Sequence, residues 1–137
     1  MIHVFCNKRG SGKTKALIKL ANDKAQSAKG DMVYIDDDNR AIHELHRKIR
    51  FITTKEFGLK DYESFYGFLC GILSENYDID TIFIDGLSNI VRVNIDEAEA
   101  LFKKLERVTK EYNLCFYINL NDEICGELPE TIKKYVA

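Results

Sequence analysis

The residues best suited to chemistry form one run, Cys6 to Thr14, reading CNKRGSGKT. The apolar residues Ile2–Phe5 precede it, and a helix-like pattern begins near Lys15. Strand, glycine-rich turn, Gly-Lys-Thr and helix is the context in which a phosphate-loop match becomes a physical claim. Such a turn points successive backbone N–H groups and a helix N-terminus at a triphosphate. Gly10 and Gly12 supply the backbone freedom for a close approach. Lys13 places a cation on the β- and γ-phosphates, and the Thr14 hydroxyl is suited to hold Mg²⁺. The candidate nucleotide-binding residues are therefore Asn7, Lys8, Arg9, Gly10, Ser11, Gly12, Lys13, Thr14 and Lys15. Asn7 stands where the pattern GxxxxGK[ST] has its first glycine. Asparagine tolerates positive φ better than most residues, so the turn remains accessible.

A second chemical signal is TIFIDGLSNI, an apolar strand pattern ending in Asp85. Ligands of open parallel sheets bind beyond the carboxyl ends of the strands, where such a carboxylate emerges. Following a phosphate loop, Asp85 is the candidate metal residue with Thr14, binding Mg²⁺ through water or orienting the Thr14 hydroxyl. Alone, an acid at a strand end is as well explained as a turn or cap residue.

Four segments in order, NKRGSGKT, VYIDDD, IFIDGLS and CFYINLN, span nearly the whole chain. Through them the sequence resembles the RecA-like group of P-loop ATPases. The resemblance implies a three-layer α/β/α sandwich with a mainly parallel sheet, and ATP with Mg²⁺ as the bound species. In that group the strand after the phosphate-loop helix ends in a glutamate that polarises the attacking water. The matching acids are Asp36, Asp37 and Asp38, with Asp38 the best positional match. A polar residue that senses the γ-phosphate is matched by Asn119, with Asn121 as a nearby alternative. Lys13, Asp38 and Asn119 are thus the catalytic candidates. The bland reading of the acidic triplet is a helix cap, and that of Asn119 a turn residue. The resemblance also implies an arginine donated by a neighbouring subunit, for which Arg9, Arg40, Arg47, Arg92 and Arg107 are sources.

The elements that must position these residues alternate strand-like and helix-like, which predicts a parallel sheet wrapped by helices. Strands are expected at Ile2–Cys6, Met32–Ile35, Thr81–Asp85 and Leu114–Leu120, with a short one at Phe51–Thr53. Helices are expected from Gly12 to Ala28, closed by Gly30, and from Arg40 to Lys48 with Ile42, Leu45 and Ile49 on one side. A third follows the N-cap Asp61, with an aromatic stripe that reads as core. A fourth runs from Asp96 to Tyr112 on an apolar face of Ala98, Leu101, Phe102, Leu105, Val108 and Tyr112. Pro129 opens a last helical turn through Tyr135. The approach to a further strand beside the first is legible in GELPETIKKYVA. That side of the sheet is expected to be open, and a partner or second copy is expected to cover it.

The 137 residues fit one domain, and 31% charged with 45% hydrophobic residues describes an ordinary globular chain. A net charge of -2 gives no overall drive toward nucleic acid or an anionic membrane. The basic clusters His43–Arg50 and Lys133-Lys134 read as solvated faces, leaving nucleic acid possible but not indicated by charge. His3, His43 and His46 have no partners at metal-site spacing. No apolar run approaches the length of a membrane span. None of Cys6, Cys70, Cys115 and Cys125 sits in C-x-x-C spacing, and the first three fall in apolar runs, so all are expected reduced and Cys6 buried as a small hydrophobe. With no export signal, these features point to the cytoplasm.

Three functions compete at this stage. The first is an ATP-binding protein with slow or partner-stimulated, Mg²⁺-dependent hydrolysis. The second is a nucleotide-responsive subunit of a larger machine without turnover. The third is a small nucleoside or metabolite kinase, which the absence of a C-x-x-C zinc lasso disfavours. The NLND run at Asn119–Asp122 lacks the lysine of a guanine-specificity motif.

Overall fold

Alternation along the strands sorts the side chains onto two faces, and this sorting builds the molecule. The computed structural model describes residues 1–8, 10 and 12–137. Arg9 and Ser11, both candidate loop residues, lie outside the described residues. Five strands, β1 (Ile2–Asn7), β2 (Asp31–Asp36), β3 (Ile49–Thr53), β4 (Ile79–Ile84) and β5 (Cys115–Asn121), form one parallel sheet. Its order is β1-β5-β4-β2-β3.

One face carries Ile2, Val4, Val33, Ile35, Ile82, Ile84, Phe116, Ile118 and Leu120. The helices α2 (Tyr62–Glu75) and α4 (Ile95–Tyr112) cover it with Phe65, Leu69 and Leu73 and with Leu101, Phe102, Leu105 and Val108. The other face carries Met32, Tyr34, Ile49 and Phe83 beneath α1 (Lys13–Ala25), which contributes Leu17, Ile18, Ala21 and Ala25. Stacked rings continue across this second face, with centroid separations of 5.2 Å for Phe83–Tyr117 and 6.1 Å for Tyr34–Phe83. The result is the three-layer α/β/α sandwich with a parallel sheet expected from the sequence.

Local chemistry sets the helix ends. Asp61 accepts from the Ser64 backbone N–H at 2.7 Å and opens α2 with a capping box. Asn94 does the same for α4, accepting from Glu97 N–H at 2.8 Å. Short helices complete the chain: α3 (Leu87–Ile90) after β4, α5 (Asp122–Cys125) after β5, and α6 (Glu130–Lys133) after Pro129. Among the described residues no helix is long and apolar enough to cross a membrane.

Several expectations are corrected. The helix expected over Arg40–Lys48 is a series of turns. The Asn22 side chain of α1 takes the segment's polar groups, donating to Glu44 O at 2.8 Å and accepting from His46 N at 2.7 Å. Ile42 is exposed and Ile49 begins β3, so the apparent stripe is not one face. α1 ends at Ala25 rather than Ala28, and Gly30 is no cap: its N–H donates to the Asp80 carboxylate at 3.0 Å. The side of the sheet expected to be open is partly covered by the chain itself. Val4 N–H donates to Tyr135 O at 2.9 Å, and Ala137 N–H donates to Val4 O at 3.0 Å. Cys6 is not a free thiol: it forms a disulfide with Cys125, 119 residues away. Parallel pairing of β1 with β5 brings α5 beside the end of β1, a proximity that no sequence spacing reveals. Cys70 and Cys115 are free.

Candidate functional site

The site forms where the face beneath α1 meets the carboxyl ends of the strands. Ile35 of β2 pairs with Ile84 of β4, and Ile84 pairs with Ile118 of β5. The next residues, Asp36, Asp85 and Asn119, therefore turn together toward the α1 side. All three are buried polar residues. Asn119 Nδ2 donates to Asp85 Oδ1 at 3.3 Å and to the Lys13 carbonyl at 3.0 Å. Tyr34 donates its hydroxyl to Asp85 Oδ2 at 3.2 Å. Burial pushes the Tyr34 phenol far above its ordinary range, with the Asp85 and Asp36 charges adding to the rise, so it remains a donor.

The glycine-rich turn closes the other side. Gly10 and Gly12 have φ of 79° and 84°, the left-handed region that a side chain rarely adopts. Gly12 caps α1 without a side chain, and the first turn of the helix holds no acid. The Lys13 ammonium donates to Asn121 Oδ1. A cavity of about 300 Å³ is lined by Gly10, Gly12, Lys13, Thr14, Arg40, Asp85, Gly86, Ser88, Asn89, Asn119 and Asn121. A larger cavity of about 870 Å³ adjoins it, lined largely by apolar residues between α3, α4 and α5. Ser88 borders both. The polar cavity is the one lined by Gly10, Gly12, Lys13 and Thr14.

Lys13, Thr14, Asp85 and Asn119 are thus brought together. Lys8 and Lys15 are exposed and do not line the cavity. Asp38, the favoured water-activating acid, lies outside the lining as well. Its carboxylate accepts from Arg40 N–H at 2.8 Å and pairs with Arg40 Nε at 2.8 Å. Asp36 does not line the cavity either; it is fully buried behind Arg40, which does. Its Oδ1 accepts from Asp37 N–H at 2.7 Å and from Arg40 Nη2 at 2.9 Å. Its Oδ2 is buried with no partner among the described residues. Burial pushes the Asp36 carboxyl up to about 7; the neighbouring Asp37 carboxylate side chain adds to this, and Arg40 opposes it. Gly86 has φ of 69°, and a Cβ there would collide with the Asp37 carboxylate, so glycine lets the acidic triplet close against β4.

Sequence reasoning considered Arg40 only as a donor to a neighbouring subunit, yet it lines this chain's own cavity. Ser88 and Asn89 were missed; their signal is the polar pair immediately after the IFIDGL stretch. Asn121 was only an alternative to Asn119, and both line the cavity.

No family model matches the sequence, and no curated protein matches it. Among solved structures, the fold aligns with the flagellar accessory protein FlaH from Methanocaldococcus jannaschii. The TM-score is 0.61 at 16% identity, over 97% of this chain and 65% of that one. This chain therefore spans less than two thirds of FlaH's length. At that identity the likeness concerns the fold alone, and it agrees with the parallel α/β/α architecture expected from the sequence.

Proposed function

We propose that the chain binds ATP with Mg²⁺ on the turn preceding α1 and hydrolyses it slowly or under stimulation by a partner. The observation that carries this reading is the convergence of Lys13, Thr14, Asp85 and Asn119 on one polar cavity at the strand ends. The helix N-terminus faces an anion well, because it holds neither a side-chain cap nor a first-turn acid.

The donor set fits magnesium: the Thr14 hydroxyl and the Asp85 carboxylate are hard oxygen ligands, and Asp85 is oriented by Tyr34 and Asn119. Held by these residues, the metal would supply neutralisation of phosphate charge. Lys13 exchanges its bond to Asn121 for phosphate oxygens and stabilises the charge that develops on transfer. Asn119, fixed between the Lys13 carbonyl and Asp85, senses the third phosphate. Asp36 replaces Asp38 as the acid that orients water. It is buried, one of its oxygens has no partner among the described residues, and its raised pKa suits a group that accepts a proton near neutrality.

A second reading is a nucleotide-responsive subunit without turnover. The ion pair of Asp36 with Arg40 favours it, since a carboxylate held by a guanidinium is a poor base. Phosphate release separates the two. Hydrolysis that falls about a hundredfold to ten-thousandfold in Asp36→Asn, with binding retained, supports the ATPase. Binding without release, in the presence of any partner that copurifies, supports the sensor.

A further inference from the structure

Arg40 stands between two sets of oxygens. One set holds it in this structure: Nη2 pairs with Asp36 Oδ1 at 2.9 Å and Asp37 Oδ1 at 3.2 Å, and Nε pairs with Asp38 Oδ1 at 2.8 Å. The other set would belong to a nucleotide seated on Lys13, because Arg40 lines the same cavity as Gly12, Lys13 and Thr14. We infer that Arg40 is the residue by which the site tells a nucleoside triphosphate from a diphosphate, exchanging its carboxylates for the γ-phosphate and thereby releasing Asp36. This rests on the nucleotide reading above and adds a specificity residue to it.

Three observations carry the inference. The first is reach. Arg40 sits on a turn segment, not on a helix, and its side chain is half-exposed. The guanidinium can therefore move without unfolding an element. The second is position. Arg40 lines the same cavity as Gly10, Gly12, Lys13 and Thr14, but it comes from the turn after β2, so it faces the loop from another strand end. On this inference a diphosphate held on the loop ends short of Arg40 and a triphosphate reaches it. The third is the state of Asp36. It is fully buried, its Oδ1 is occupied by Arg40 and the Asp37 amide, and its Oδ2 has no partner among the described residues. A buried carboxylate with one empty oxygen is costly to leave so. Departure of Arg40 would leave Oδ1 with the Asp37 amide alone at the moment a third phosphate arrives. Guanidinium binds carboxylate and phosphate with the same planar fork, so the exchange replaces like with like. A guanidinium that served only as a counter-ion to the acidic triplet would show no preference between nucleotides.

The experiment is calorimetric titration of ADP·Mg²⁺ and ATP·Mg²⁺ into the wild type, Arg40→Ala, Arg40→Lys, Asp38→Asn and Lys13→Ala. Arg40→Ala should weaken ATP roughly tenfold and leave ADP within about twofold, and Arg40→Lys should recover part of the loss. Asp38→Asn removes the negative charge paired with Nε while leaving the buried Asp36 intact, so it should tighten ATP severalfold and leave ADP unchanged. It keeps the question open to test should Arg40→Ala fail to fold, which thermal unfolding of each variant reports. Equal loss of both nucleotides in Arg40→Ala, or no loss of either, overturns the inference. An unchanged ATP affinity in Asp38→Asn overturns the competition between carboxylates and phosphate. Failure of either nucleotide to bind the wild type, or undiminished binding to Lys13→Ala, overturns the nucleotide reading itself and the inference with it.

Discussion

Asp36 concentrates the chemistry of the site in one carboxyl group. In the folded chain it keeps its proton up to about pH 7, whereas in the unfolded chain it releases it near the ordinary 3.8. Between these values the folded state binds more protons, so this residue's contribution to stability is full below about pH 4 and is lost as pH rises toward 7. Asp36→Asn cannot titrate, so the difference in stability between wild type and variant should change across that window and level off above it. Urea denaturation at a series of pH values measures this; a constant difference from pH 4 to 8 would mean that Asp36 titrates normally. The same substitution removes the proposed water-orienting base, which makes its phosphate-release assay and its stability profile independent views of one group. Asp38, by contrast, is bonded to Arg40 along its guanidinium edge.

At the scale of elements, α4 shows how local signals become a wall of the molecule. Its apolar residues recur at helical spacing, and its start is fixed by the reciprocal bonds between Asn94 and Glu97. Asn94→Ala should cost about 1 kcal/mol of stability, read from a shift in the urea midpoint with unchanged slope. No shift would mean that water replaces the cap at no cost. Elements of this kind were legible: the strands that carry Asp85 and Asn119, the Asp61 cap and the α4 stripe all follow from period and capping chemistry. The segment 37–48 was not legible, because the spacing of Ile42, Leu45 and Ile49 mimics a helix. What decides its shape is the distant Asn22 side chain, together with Arg40 captured by three carboxylates. The choice of Asp36 over Asp38 was hidden for a related reason. All three acids follow an apolar strand, and only the pleat of β2 beside β4 determines which one turns under α1.

At the scale of the whole molecule, parallel pairing joins parts that the sequence separates widely. The end of β1, just before the glycine-rich segment, is tied to α5 by Cys6–Cys125, and β1 is flanked by Tyr135–Ala137 on its outer side. Thiol titration of the denatured protein should find the two free cysteines, Cys70 and Cys115, without reductant and all four with it. Four thiols in the absence of reductant would mean that the bond does not form in solution. The bond also weakens the expectation of a reducing compartment, which had rested on unpaired cysteines. The strand order places Asp36, Asp85, Asn119 and the phosphate loop at one end of the sheet, the end at which open α/β folds bind their ligands. The measurement that tests this account most directly is calorimetric titration of ATP·Mg²⁺ into the wild type and Lys13→Ala. The account predicts saturable binding to the wild type that the substitution abolishes; no binding to the wild type, or equal binding to both, would contradict it.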